Sequence, residues 1–184
     1  MRRRTLLLSV VALAGLAGVA VLGPRVPVEV EAPRVTVPTG SPSGLEDWVR
    51  RREAAFDDIV PGAEKRVVWA NPEDPGPTPL VVVYLHGFSA TRQEVSPLPE
   101  RLADSLGANL FLTRLTGHGR GPEPMGEATL GSWLGDVAEA LAVARELGDQ
   151  VVLVGTSTGA TLALWAAARL GLRERIAALL LISP

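Results

Sequence analysis

The sequence contains no cysteine. That excludes disulfides, cysteine-ligated zinc and a thiol nucleophile together, and with them a lipoprotein-type lipidation site. Histidine is nearly as scarce, with His86 and His118 the only two. A histidine-rich metal site has no basis, and no metal or cofactor is expected. A mechanism that needs a histidine base must use one of these two or one that the sequence does not contain. Charge is almost balanced at a formal net −2, and no basic cluster beyond the first four residues would serve a nucleic acid. What is present is 47% apolar and 21% charged residues, the balance of a globular domain and not of a disordered chain.

The chain begins Met1-Arg2-Arg3-Arg4 and continues into an apolar run over residues 6–22, broken only by Ser9, Gly15 and Gly18. Arginines ahead of an apolar core match an export signal, and their charge favours the cytoplasmic side. A helix over 6–22 would span roughly 25 Å, just short of a hydrocarbon core of about 30 Å. Residues 1–23 are therefore read as a signal peptide or membrane anchor, with Gly18-Val19-Ala20 as a small-residue cleavage site. Residues 24–44, rich in proline, read as an extended tether to the membrane. The remainder, 45–184, reads as one domain.

Within it, apolar runs alternate with helical patterns. A helix is expected over 45–56 and strands over 65–70, 80–85, 109–113, 151–154 and 177–182. Helices are expected over 98–106, 132–147 with Ser132 as N-cap, and 158–170. Residues 80–85 are continuously apolar and β-branched, the pattern of a strand covered on both faces. Strands alternating with helices of this length predict an α/β fold built on a mostly parallel sheet.

Residues 151–161 read Val-Val-Leu-Val-Gly-Thr-Ser-Thr-Gly-Ala-Thr, a strand, a Gly-x-Ser-x-Gly turn and a helix start. A nucleophilic serine must stand clear of the sheet on a sharp turn, and Gly155 and Gly159 let strand and helix approach closely around Ser157. The helix N-terminus adds a positive field and free N–H groups for a developing oxyanion. A dinucleotide-binding turn would want glycine at 157 and an acidic residue near the end of the next strand; residues 177–182 offer none. A phosphate-binding loop would want Gly-Lys-Ser/Thr, which is absent here. A merely structural turn is the remaining alternative.

Upstream, the strand over 80–85 runs into His86-Gly87-Phe88, and Leu115-Thr116-Gly117-His118-Gly119 follows the next strand. With Trp133 and Asp136 on the helix before the Ser157 strand, these motifs resemble the α/β-hydrolase family, in particular its carboxylesterases and monoacylglycerol-lipase-like members. The resemblance spans residues 65–184. It implies that the backbone amides of Phe88 and Thr158 form the oxyanion hole, each contributing on the order of 3 kcal/mol. It makes His86 and Gly87 supporting residues of that loop and His118 the shaper of a turn. Thr156, Thr158 and Ala160 depart from the commoner residues beside the nucleophile.

The resemblance implies a serine hydrolase that cleaves small ester or lipid substrates through an acyl-serine. The same fold also serves thioesterases, amidases, acyltransferases and non-catalytic binding proteins. In this fold the acid and the histidine follow the nucleophile. After Ser157 there is one carboxylate, Glu174, and no histidine. The chain also stops at Ser183-Pro184 directly after an apolar strand; it is read as part of a longer protein that has turnover, which residues 1–184 by themselves are expected to lack. From Arg2, Arg3 and Arg4 and the apolar run, the domain is expected outside the cytoplasm. Protease added to spheroplasts of cells making the full-length protein should digest the domain; a protected, soluble protein with Met1 intact refutes this expectation.

Overall fold

A computed structural model describes residues 2–23, 31 and 33–184. Helix α1 (Arg2–Leu22) precedes α2 (Pro42–Glu53), and strands β1 (Arg66–Val68) and β2 (Thr78–Leu85) follow. Next come α3 (Leu98–Leu106), β3 (Asn109–Leu112), α4 (Pro122–Glu127), α5 (Leu130–Leu147) and β4 (Gly148–Thr156). The chain continues through α6 (Thr158–Ala168) and α7 (Leu170–Arg173) to β5 (Ile176–Ile182). The five strands form one sheet in the order β1-β3-β2-β4-β5, parallel except for β1, which runs antiparallel to β3.

The continuous apolar run predicted as a doubly covered strand is β2 at the sheet's centre. Its alternation sorts side chains between two cores. Val81, Val83 and Leu85 face one with residues of α2, α5 and α6; Val82 and Tyr84 face the other with Ala103 of α3. Helices on both faces are what a parallel sheet requires, since its crossovers lay them there.

Several boundaries differ from the sequence-based expectation for physical reasons. α2 starts at Pro42, because the Ser41 hydroxyl accepts from the Gly44 N–H at 3.1 Å and proline suits the first helical turn. α5 is capped by Thr129, not Ser132. The two side chains form a reciprocal capping box, Ser132 N–H donating to Thr129 Oγ1 and Thr129 N–H to Ser132 Oγ. α4 has no counterpart among the expected elements. The basic run Arg50, Arg51, Arg52 in the last turn of α2 is also a feature the sequence reading passes over. Arg50 is paired with Asp47 and Arg52 with Glu139.

The predicted tether is corrected in its second half. Val37 packs against the core, a Cβ on Gly135 would touch Pro33 at 3.4 Å, and the Gly40 N–H donates to Glu146 at 3.2 Å. Residues 33–40 are thus laid along α5 as part of the domain; residues 24–30 and 32 of the tether lie outside the described residues. Among the described residues no helix is long and apolar enough to cross a membrane, so a membrane-spanning segment at 6–22 finds no support there. The side chains of residues 1–8, 10 and 20, which bear on that expectation, lie outside the described ones.

An ion pair invisible in the sequence joins α2 to the segment after β3. Arg114, 4% exposed, donates through Nε and Nη2 to the two oxygens of Glu53, 6% exposed, at 2.7 and 3.0 Å. Glu53 also accepts the Lys65 N–H at 2.9 Å, and Arg114 Nη1 donates to the His118 carbonyl at 3.2 Å. Removing one member leaves a buried charge without its counter-charge, which costs about 3–5 kcal/mol. Urea denaturation of the full-length protein should therefore show Glu53→Ala losing that amount. Arg51→Ala on the exposed side of the same helix should change stability by less than about 0.5 kcal/mol.

Candidate active site

Strand β4 ends at Thr156, α6 begins at Thr158, and Ser157 between them has φ 48° and ψ −111°. A non-glycine residue at positive φ stores roughly 1–3 kcal/mol of strain and persists only where its surroundings enforce it. Here both backbone groups of Ser157 are held. Its N–H donates to the Ile182 carbonyl at 2.8 Å, and its carbonyl accepts from the Thr161 N–H at 3.0 Å. The side chain is exposed above the sheet.

The glycines make the turn sterically feasible. A Cβ on Gly155 would stand 2.6 Å from the Ala160 nitrogen, and one on Gly159 would strike the Leu85 carbonyl oxygen and lie 2.6 Å from that of His86. The start of α6 therefore rests on the end of β2 as well as on β4. Since Leu85 pairs with Gly155 across the parallel ladder, His86-Gly87-Phe88 and Thr156-Ser157-Thr158 leave the sheet side by side.

His86 is fully buried. Its Nε2 accepts the Leu115 N–H at 3.0 Å, so the ring proton sits on Nδ1, which donates to the Gly87 carbonyl at 2.9 Å. The N–H of a trans peptide points opposite to its C=O. Holding the Gly87 carbonyl against the buried ring thus turns the Phe88 N–H away from it. Thr158 opens α6, where the first N–H groups have no acceptor within the helix. The two expected oxyanion donors therefore lie on adjacent segments, each with its direction set by the backbone beneath it.

Three further groups gather at this loop. The Gly87 N–H donates to Glu94 Oε1 at 2.6 Å, the Tyr84 hydroxyl reaches the same oxygen at 2.7 Å, and Tyr84 is 3.0 Å from Thr156 Oγ1. Behind the loop, the rings of His86, Phe88, His118 and Trp133 lie in contact, with centroid separations of 4.9–6.2 Å. Trp133 Nε1 donates to the Thr116 carbonyl at 3.0 Å, and Asp136 Oδ2 accepts the Thr116 N–H at 2.6 Å. Asp136 is thus a brace of the loop after β3, and Trp133 its companion.

Burial sets the ionisation of this region. It pushes the His86 imidazole down to about 4 and lowers His118 as well. It raises the Asp136 carboxyl despite the opposing attraction of Lys65, whose Nζ is 4.0 Å away. Neither histidine is hydrogen-bonded to Ser157: His86 is committed at both nitrogens, and His118 Nδ1 donates to the Thr116 carbonyl at 3.2 Å. His118 Nε2 is buried without a partner among the described residues. Glu174 lies exposed at the end of α7, and the described residues hold no metal-binding cluster.

The structure therefore brings together Ser157, Phe88, Thr158, His86, Gly87, Gly155 and Gly159. The sequence reading missed Glu94 and Tyr84, and with them the Arg114–Glu53 pair. Glu94 lies in an irregular loop where no periodicity singles it out, and Tyr84 reads simply as one more residue of a buried strand.

The family model described as alpha/beta hydrolase fold matches residues 81–184. The thermostable monoacylglycerol lipase of Bacillus sp. (strain H-257) is 34% identical over 89 residues, which make up 48% of this chain and 35% of that protein. A solved structure from work on LipS and LipT, two metagenome-derived lipolytic enzymes, has a TM-score of 0.57 and 31% identity, over 67% of this chain and 46% of the other. Est1E from Butyrivibrio proteoclasticus, with ferulic acid bound, has a TM-score of 0.52 and 22% identity, over 63% and 46%, and bears on the fold alone. The chain spans about a third of the length of that lipase and just under half of each of these two structures.

The depressed His86 value has a measurable consequence. The unfolded imidazole takes its proton near 6.5 and the folded one only near 4. Between these values the unfolded state binds more protons, so stability falls as pH falls through that window. The raised Asp136 carboxyl acts in the opposite sense there, which is why a comparison with a His86 variant isolates the effect. The stability difference between wild type and His86→Gln should narrow by roughly 2–3 kcal/mol from pH 7 to pH 4.5. A difference that stays constant would show His86 titrating normally.

Proposed function

The chain belongs to the α/β-hydrolase fold family, and from that premise we propose that it carries the nucleophile and oxyanion-binding half of a serine hydrolase acting on acyl esters. The observation that carries this reading is Ser157, held exposed at φ 48° between two glycines too crowded for any side chain, beside the His86-Gly87-Phe88 loop. Strain of this kind marks functional turns more often than structural ones. The similarity to a monoacylglycerol lipase and to lipolytic enzymes favours carboxylic ester substrates, lipid esters among them.

In the proposed reaction Ser157 Oγ attacks the ester carbonyl carbon while a base takes the hydroxyl proton. The carbonyl oxygen becomes an oxyanion between the Phe88 and Thr158 N–H groups. Collapse of the tetrahedral intermediate breaks the C–O bond and expels the alcohol, which recovers the proton; water then attacks the acyl-serine by the same steps in reverse. Neither His86 nor His118 suits the role of base. The Nε2 lone pair of His86 is already taken by the Leu115 N–H, both rings are buried with their basicity lowered by that burial, and neither is hydrogen-bonded to Ser157. Export, proposed from Arg2, Arg3, Arg4 and residues 6–22 alone, is independent of this chemistry.

The full-length protein should be labelled by a fluorophosphonate probe at Ser157 and should hydrolyse short-chain nitrophenyl esters. Ser157→Ala should abolish labelling and lower kcat by about 10⁶-fold, the scale seen when a nucleophile is removed. Labelling that survives this substitution assigns the nucleophile elsewhere. A wild-type protein that is neither labelled nor active is instead a binding protein on this fold.

A further inference from the structure

Glu94 is exposed, yet one of its oxygens receives two hydrogen bonds at the centre of the candidate site. The direction of each is determined. A carboxylate only accepts, so the Gly87 N–H and the Tyr84 O–H both donate to Oε1. With its proton spent there, Tyr84 can only accept from the Thr156 hydroxyl. Tyr84 itself is fully buried and burial raises its pKa well above the ordinary value, so that proton stays on the phenol. The result is an unbranched path, Thr156 to Tyr84 to Glu94 to Gly87. It ties the side chain of the residue before Ser157 to the backbone N–H of the residue before Phe88 through two intervening side chains.

Gly87 is then gripped from two sides. Its N–H is held by Glu94 and its carbonyl by the neutral His86 ring. A Cβ at this position would lie 3.1 Å from Glu94 Oε2, a tight contact, and 3.5 Å from the Thr156 carbonyl oxygen, so the carboxylate packs directly on Gly87. Glycine alone has no side-chain bulk to restrain its dihedrals. Without the grip on its N–H, the φ of Gly87 is restrained only through the bonds its carbonyl accepts from His86 Nδ1 and the Ala90 N–H, and the peptide that carries the Phe88 N–H can tilt about them.

Resting on the hydrolase reading above, we propose that Glu94 is a positioning residue: its carboxylate, anchored by Tyr84, fixes the His86–Gly87 peptide, so that the next peptide, held at its carbonyl by His86, keeps the Phe88 N–H aimed at the oxyanion. Glu94 transfers no proton in this scheme. The oxyanion exists only in the transition state and intermediate, so losing the grip lowers kcat and leaves substrate binding alone.

The test uses the full-length protein, a nitrophenyl ester and an aryl boronate as tetrahedral analogue. Glu94→Ala should reduce kcat by about tenfold to a hundredfold, the range for small misplacements in an active site. KM should stay within about twofold, and boronate affinity should fall by the same factor as kcat/KM. Glu94→Gln keeps an acceptor oxygen and should recover most of the loss, with the pH profile of wild type. Wild-type kcat in Glu94→Ala, a loss confined to KM, or a Glu94→Gln protein as impaired as Glu94→Ala overturns the proposal, the last by pointing to proton transfer. If Glu94→Ala does not fold, Tyr84→Phe decides: lowered kcat at unchanged KM supports the anchor, and unchanged kcat refutes it. A wild-type protein without turnover or labelling removes the hydrolase reading and this proposal together, whereas an active wild type with indifferent variants removes only the proposal.

Discussion

The contact on which the site depends is the seating of the first turn of α6 on the ends of β2 and β4. Gly159 lies so close to the Leu85 and His86 carbonyls that no side chain fits, and Gly155 is equally crowded by the backbone of Gly159 and Ala160. From this contact follow the positive φ of Ser157, its exposure above the sheet, and the neighbourhood of the Phe88 and Thr158 amides. Dispersion and close packing alone make such a junction rigid, because backbone against backbone leaves no rotamer to relax. The strain of the turn is sustained by the strands on which it stands.

Around that junction the buried polar groups are arranged so that each leaves its neighbour only one orientation. The Leu115 N–H selects the His86 tautomer, and the tautomer selects the direction of the Gly87 carbonyl. Asp136 and Trp133 hold the N–H and the carbonyl of Thr116 in the same manner. A low-dielectric interior makes an unsatisfied group costly, so these chains of donors and acceptors set geometry more firmly than their individual strengths suggest. The neutral histidines act there as directional struts.

What could be read in the sequence was what depends on near neighbours along the chain. The strand–Gly-x-Ser-x-Gly–helix order of residues 151–168, the doubly covered β2 and the loop at His86 all have local signatures: β-branched runs, glycine spacing, caps. α3 was legible to the residue, its apolar pattern bounded by Pro97 and Gly107. The capping of α5 was misjudged because Thr129 and Ser132 are both good caps, and only the reciprocal bonding distinguishes them. Glu94, Tyr84, Glu53 and Arg114 were illegible for another reason. Glu53 and Arg114 stand 61 positions apart, and nothing in either neighbourhood marks the partner. Proline content suggested a free tether over 24–44, but residues 33–40 find apolar and polar partners on α5, a tertiary preference that composition does not encode.

The Glu53–Arg114 pair also decides where the domain can be cut. Residues 81–184 contain every motif of the elbow and the oxyanion loop, and a recombinant domain drawn to that boundary would look complete by motif. It would nonetheless retain the Arg114 guanidinium beneath the Gly117-His118-Gly119 turn while discarding its carboxylate partner on α2. Water or chain would have to enter the interior to solvate it. A piece that keeps the pair must therefore begin ahead of α2 at Pro42, and one that also keeps the contacts of Pro33 and Gly40 with α5 must begin ahead of Pro33.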